Sequence, residues 1–165
     1  MAVVVSDTTP LHYLILVGRD FILHELYGTV VIPPAVLQEL SHASAPVRIS
    51  NWAANPPAWV TVSAPELIPA KFDGLDLGER QALALALELR ADLVLLDDRL
   101  ARRVARRELL NVKGTLGIVA HAAKANLLDF VETINQLQRT TMYLDREVVD
   151  QVIREYNRSR RKEKS

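Results

Sequence analysis

Residues 3–10 read Val3-Val4-Val5-Ser6-Asp7-Thr8-Thr9-Pro10: three β-branched residues run straight into hydroxyls, a carboxylate and a proline. The valines predict a short buried strand over Ala2–Val5. Thr8 or Thr9 is then expected to cap a helix with Pro10 in its first turn, where the missing N–H does no harm. A buried strand that ends on Asp7 has two explanations. The carboxylate serves the next helix, or it belongs to a site, because α/β proteins place their sites beyond the carboxyl ends of strands.

The pattern outward from this stretch favours an α/β chain. Gly18 ends the first helix, a second covers Arg19–Tyr27, and Thr29–Ile32 reads as a strand. Pro33 and Pro34 stop it and open a helix over Ala35–Leu40 that carries Glu39. The proline-rich stretch Ser41–Asp73 holds a helix near Val47–Ala54 and an extended piece at Trp59–Ser63. Across Asp76–Arg90, Leu83, Leu85, Leu87 and Leu89 alternate as in a strand, but alanines fill the gaps and no β-branched residue appears, so a buried helix is predicted. Asp92–Leu96 is a strand ending on Asp97 and Asp98. A helix over Arg99–Leu109, a short strand at Asn111–Lys113 and helices over Thr115–Lys124, Asp129–Leu137 and Asp145–Tyr156 follow. Strands alternating with helices imply a mainly parallel central sheet with helices on both faces. One domain over 1–157 is expected, with a basic, mobile tail over 158–165, which lacks apolar periodicity.

Composition narrows the class. The 165 residues include 20 basic and 20 acidic side chains, no cysteine, and 49% hydrophobic residues. Disulfides and thiolate chemistry are excluded. No apolar run approaches the roughly 18 residues that span a bilayer, and the start lacks the basic segment of a secretory signal. A cytoplasmic protein without membrane contact is expected. The zero formal charge hides basic clusters at Arg99, Arg102, Arg103, Arg106 and Arg107 and at the C-terminal end.

The acids fall where chemistry would need them. Asp7 and the Asp97–Asp98 pair follow strands directly, and would meet at one sheet edge if those strands are neighbours. Glu39 lies just past the second strand, and Glu79 opens a helix from Leu75-Asp76-Leu77-Gly78-Glu79, with Asp76 one turn earlier. Converging carboxylates repel unless a cation neutralises them. Oxygen donors without histidine or thiolate point to Mg²⁺ or Mn²⁺, and His12, His24, His42 and His121 show no ligand spacing. Each acid alone also reads as a cap, a first-turn charge or a solvated residue; their joint placement carries the argument.

The segments VVVSDTTPLHYL, VVIPPAVLQEL, LDLGERQALALALELRADLVLLDDRLARRVA and NVKGTLGIVAHAAKANLL together resemble the PIN-domain family, in particular the small proteins related to toxin ribonucleases of the VapC type. The resemblance covers roughly Ala2 to Tyr156. It implies a three-layer α/β sandwich with an acidic metal site at one edge. Matched residue by residue, it implies catalytic roles for Asp7, Glu39, Glu79, Asp97 and Asp98. Of these Asp7, Glu79, Asp97 and Asp98 would be metal ligands, with Thr8 as the supporting hydroxyl. The family's third acid is commonly an aspartate, so Glu79 is a departure and Asp76 an alternative. The implied activity is divalent-metal-dependent endoribonuclease, often the toxin of a toxin–antitoxin pair, with RNA as substrate, a small antitoxin protein as partner and a homodimer as assembly. The apolar residues Val131, Ile134, Leu137, Val148, Val149, Val152 and Ile153 also suggest a dimer surface.

Rival readings fit less well. A phosphorelay receiver would pair its acids after the first strand, and a haloacid-dehalogenase phosphatase would show D-x-D where Asp7 is followed by Thr8 and Thr9. A PIN fold kept as an RNA- or protein-binding module without cleavage is the stronger alternative. Arg99, Arg102, Arg103 and Arg106 share a helical face by their spacing, either as a solvated face or as a track for RNA phosphates.

Overall fold

The computed structural model describes residues 2–164. Strands β1 (Val4–Ser6), β2 (Val30–Ile32), β3 (Val60–Val62), β4 (Leu93–Leu95) and β5 (Val112–Lys113) form one all-parallel sheet in the order β3-β2-β1-β4-β5. Every connection between parallel strands must cross over a face of the sheet. Here the crossovers are made by α1 (Thr8–Leu16) and α2 (Phe21–Tyr27), by α3 (Pro34–Leu40) and α4 (Val47–Ala54), by α5 (Leu77–Leu89), and by α6 (Arg99–Arg107). Such crossovers are right-handed. The chain first winds outward from β1 to β3 and then returns past β1 to β4 and β5, so helices cover both faces in a three-layer α/β sandwich.

α5 explains the ambiguity of its own sequence. It packs on β1 and β4, and also on α3. Leu83, Leu85, Ala82, Ala84 and Ala86 are all buried, so the helix is covered nearly all round and shows no single apolar stripe. Its alanines, with Ala101 and Ala105 of α6, let both helices approach Val5 and Val94 closely in one continuous core.

Contacts divide the chain into two compact units, Met1–Thr115 and Leu116–Ser165, within what was expected to be one domain. The first holds the whole sheet. The second holds most of α7 (Thr115–Lys124), with α8 (Phe130–Gln138) and α9 (Arg146–Lys164). Within it, Phe130 stacks on Tyr156 at 4.6 Å between ring centroids. Of the apolar residues expected to form a dimer surface, Ile134, Leu137 and Val149 are buried, while Val131 and Val148 stay exposed. α9 runs on to Lys164, through most of the basic segment at the C-terminal end. Arginine, lysine and glutamate are good helix formers, and they extend a helix already nucleated upstream. Among the described residues no helix is long and apolar enough to cross a membrane.

The cap of α1 also differs from expectation. Asp7 occupies the N-cap position in extended conformation without a side-chain cap bond, and Thr8 and Thr9 lie inside the helix. The strand hands over to the helix with no spare residue, so neither threonine is free to cap.

α6 ends in a paired-turn motif, in which the Leu109 amide donates to Arg106 O and the Leu110 amide to Ala105 O, both at 3.0 Å. This forces Leu109 into the left-handed region at φ 61°, and its side chain is 92% exposed. A leucine there bears the left-handed penalty with no burial to offset it. Leu109→Gly is therefore expected to stabilise the protein by about 1 kcal/mol. Urea denaturation would show this as a higher midpoint at unchanged slope, and a lower midpoint would refute it.

Candidate active site

β1 and β4 are the two strands between which the chain reverses its winding, and they pair directly, with Ser6 opposite Leu95. The Asp7 amide then donates to Leu95 O at 2.9 Å, which carries the pairing one residue past the strand. Asp7 and the Leu96–Asp97–Asp98 turn therefore leave the sheet side by side. β5 repeats the device, because the Leu96 amide donates to Lys113 O at 3.0 Å and so brings Gly114 and Thr115 alongside Asp97. The crevice beyond these strand ends is where an open parallel sheet binds its ligands.

The acids fall into two groups by their partners. Asp97 is tied down: Oδ1 accepts from the Thr115 amide at 2.9 Å and Oδ2 from the Thr115 hydroxyl at 2.6 Å. Asp98, although a candidate ligand by position, caps α6 by accepting from the Ala101 amide at 2.9 Å. Asp76 and Glu79 form a reciprocal capping box on α5: Asp76 Oδ1 accepts from the Glu79 amide at 2.8 Å, and Glu79 Oε2 accepts from the Asp76 amide at 3.2 Å. Glu39 accepts from the Thr8 hydroxyl. Its carboxylate lies against Gly78, where a Cβ would stand 2.5 Å from Glu39 Oε1, so only glycine lets it approach the start of α5.

Asp7 is the most deeply buried of the set. Its side chain is 5% exposed, and burial pushes its carboxyl from 3.8 up to about 7. The Thr8 amide opposes that rise, while the charges of Asp76, Glu39 and Asp97 add to it. Glu79 is buried too and rises from 4.5 to about 8. Burial leads and Asp76 adds, the Asp76 amide opposes, and Asp98 and Asp7 contribute further. Each of the predicted acids thus acts electrostatically on Asp7, on Glu79, or is one of the two. Asp76 is the largest like charge on both, nearer the centre than its place as an alternative suggests.

Sequence reasoning missed Thr115, Gly114 and Gly78. The first two follow β5, so the rule that singled out Asp7 and Asp97 would have found them too. Gly78 carries no such signal, since its role depends on Glu39, which is 39 positions away in sequence.

The donors suit a hard divalent cation. They are oxygens only, and two are buried carboxylates that cannot both ionise cheaply without positive charge nearby. Among the described residues no three acidic or imidazole side chains are gathered closely enough to hold one ion. Mg²⁺ does not require such a cage, because it keeps several waters and is commonly held by one or two carboxylates. Asp7 and Glu79 are the two buried carboxylates at this edge.

A family model described as PIN domain matches residues 3–158, nearly the whole chain, and the protein belongs to that family. PIN domains are in general nucleases, and this chain carries the nuclease fold. No curated protein matches it.

The raised carboxyls have a consequence for stability. A folded-state value above the unfolded one means the native protein binds these protons more tightly, so the contribution of these two groups to stability is fully present below about pH 4 and is lost as pH rises through about 7 to 8. In chelator, melting temperature is expected to fall between about pH 5 and about pH 8.5. Asp7→Asn removes one of the two responsible groups and should flatten that fall. An equal fall in wild type and mutant would remove Asp7 from the account.

Proposed function

We propose that the protein is a divalent-metal-dependent endoribonuclease that hydrolyses RNA phosphodiester bonds, acting as the toxin of a toxin–antitoxin pair. The observation that carries the catalytic part is the buried Asp7 carboxylate at the β1–β4 switch point, pushed up to about 7 and surrounded by Asp76, Glu39 and Asp97. A site that concentrates unneutralised negative charge is poor for binding RNA and well suited to binding a cation first. The toxin role rests on the likeness to VapC-type sequences and on the family.

Asp7, Asp97 and Glu79 would hold Mg²⁺ or Mn²⁺, which when bound supplies an activated water and offsets charge on the phosphodiester. The chain's own residues do the rest. Thr115 fixes the rotamer of Asp97 through two hydrogen bonds. Thr8 holds Glu39 through its hydroxyl, keeping that carboxylate turned toward the start of α5. The capping box sets the direction of Glu79, and its raised value makes Glu79 able to hold a proton near neutral pH.

A second reading, a binding module without turnover, has one observation in its favour. Asp76, Asp97 and Asp98 all spend oxygens on backbone amides, as structural residues do. Turnover separates the two readings. With Mg²⁺ or Mn²⁺ the wild type is expected to cut unstructured RNA internally, and chelator to stop it. Asp7→Asn should lower the rate by about a hundredfold or more, the scale of losing about 3 kcal/mol of transition-state charge stabilisation. It should also abolish the rise in melting temperature that Mg²⁺ gives the wild type. RNA that is bound but never cut with either metal would favour the binding module.

The same proposal includes a homodimer and a small antitoxin partner. Light scattering is expected to report twice the 18.5 kDa chain mass, and a monomer at every concentration would remove the dimer.

A further inference from the structure

α6 carries five arginines, and one is placed differently from the rest. Arg99, Arg103, Arg106 and Arg107 are exposed, whereas Arg102 is half-buried. Its guanidinium lies over Gly114: a Cβ at that position would stand 2.8 Å from Arg102 Nη1 and 2.8 Å from Asp97 Oδ1. The missing side chain is what lets cation and carboxylate converge there, and any other residue would push one of them aside.

Convergence does not become pairing. Asp97 spends both oxygens on Thr115, and among the described residues no ion pair closes between it and Arg102. Burial is the main pressure against the guanidinium's charge; Arg106 adds to it and Asp97 opposes it. The result is a half-desolvated planar fork with unspent donors, held beside the acidic edge. A fork of that kind matches the oxygens of a phosphate, bidentately and in fixed orientation.

The geometry assigns Arg102 as the contact for a backbone phosphate of the RNA substrate next to the acids, a role distinct from that of the solvent-facing arginines of α6. The assignment rests on the nuclease reading. A half-buried contact beside Gly114 and Asp97 would set the register of the strand across the site, whereas exposed arginines add more diffuse attraction.

Fluorescence anisotropy with a labelled single-stranded RNA oligonucleotide of non-hydrolysable backbone, in Mg²⁺ and repeated across salt concentrations, tests this without turnover. Arg102→Ala is expected to weaken affinity about tenfold and to reduce the slope of log affinity against log salt by about one. Arg102→Lys keeps the charge but not the fork, so it should keep the slope and lose only part of the affinity. Arg107→Ala removes an equal charge from the same helix and should weaken binding less than about twofold. If Arg102→Ala does not fold, Arg102→Met keeps an apolar stem over Gly114 and reads out the same loss. A merely structural Arg102 would lower the melting temperature and leave the salt slope unchanged, which would overturn the assignment. Wild type that binds and cuts RNA while Arg102→Ala and Arg107→Ala behave alike would overturn it alone. Wild type that neither binds nor cuts would remove the nuclease reading and this assignment with it.

Discussion

The pairing of β1 with β4 is the constraint on which the remaining features depend. Through it, the hydrogen bond from the Asp7 amide to Leu95 O sets two strand ends, 88 positions apart in sequence, at one height on one edge. If the chain had wound in one direction only, Asp7 and Asp97 would end on separated strands and their charges would not meet. The reversal between β1 and β4 makes an open crevice, and it also concentrates carboxylates in that crevice.

Concentrated charge is expensive, and the protein distributes the cost unevenly. Asp76, Asp97 and Asp98 keep ordinary partners in helix amides and the Thr115 hydroxyl. Asp7 and Glu79 take most of the burial and the repulsion, and their carboxyls rise to about 7 and about 8. Two glycines complete the arrangement by omission. Gly78 lets Glu39 approach the start of α5, and Gly114 lets Arg102 and Asp97 converge. In both places a methyl group would push a charged side-chain end aside.

Much of this was legible in the sequence. Short β-branched runs marked the first and second strands, an apolar run ending on Asp97 and Asp98 marked the fourth, and the alternation with helices marked a parallel α/β sheet. Asp7, Glu79, Asp97 and Asp98 were readable as candidates because each follows a strand or opens a helix, and Glu39 because its helix directly follows the second strand. α5 was readable only through composition: its leucines alternate, and helix-forming alanines outweighed that period because a helix buried nearly all round shows no stripe.

Tertiary structure alone decided the rest, for reasons of distance and partner. Local pattern marks which residues end strands, but strand order emerges from packing, so the neighbourhood of Asp7 and Asp97 waited on the sheet. Whether a carboxylate is a cap or a spare charge depends on which amide lies within reach, and that placed Asp98 and Asp76 on helix ends and left Asp7 without a side-chain cap. The segment 158–164, too polar to announce a packed helix, is helical as an extension of a helix begun upstream. Residue type and spacing were enough to mark the acids of this edge. Which side chains share it, and at what electrostatic cost, follows from contacts between residues that are far apart along the chain.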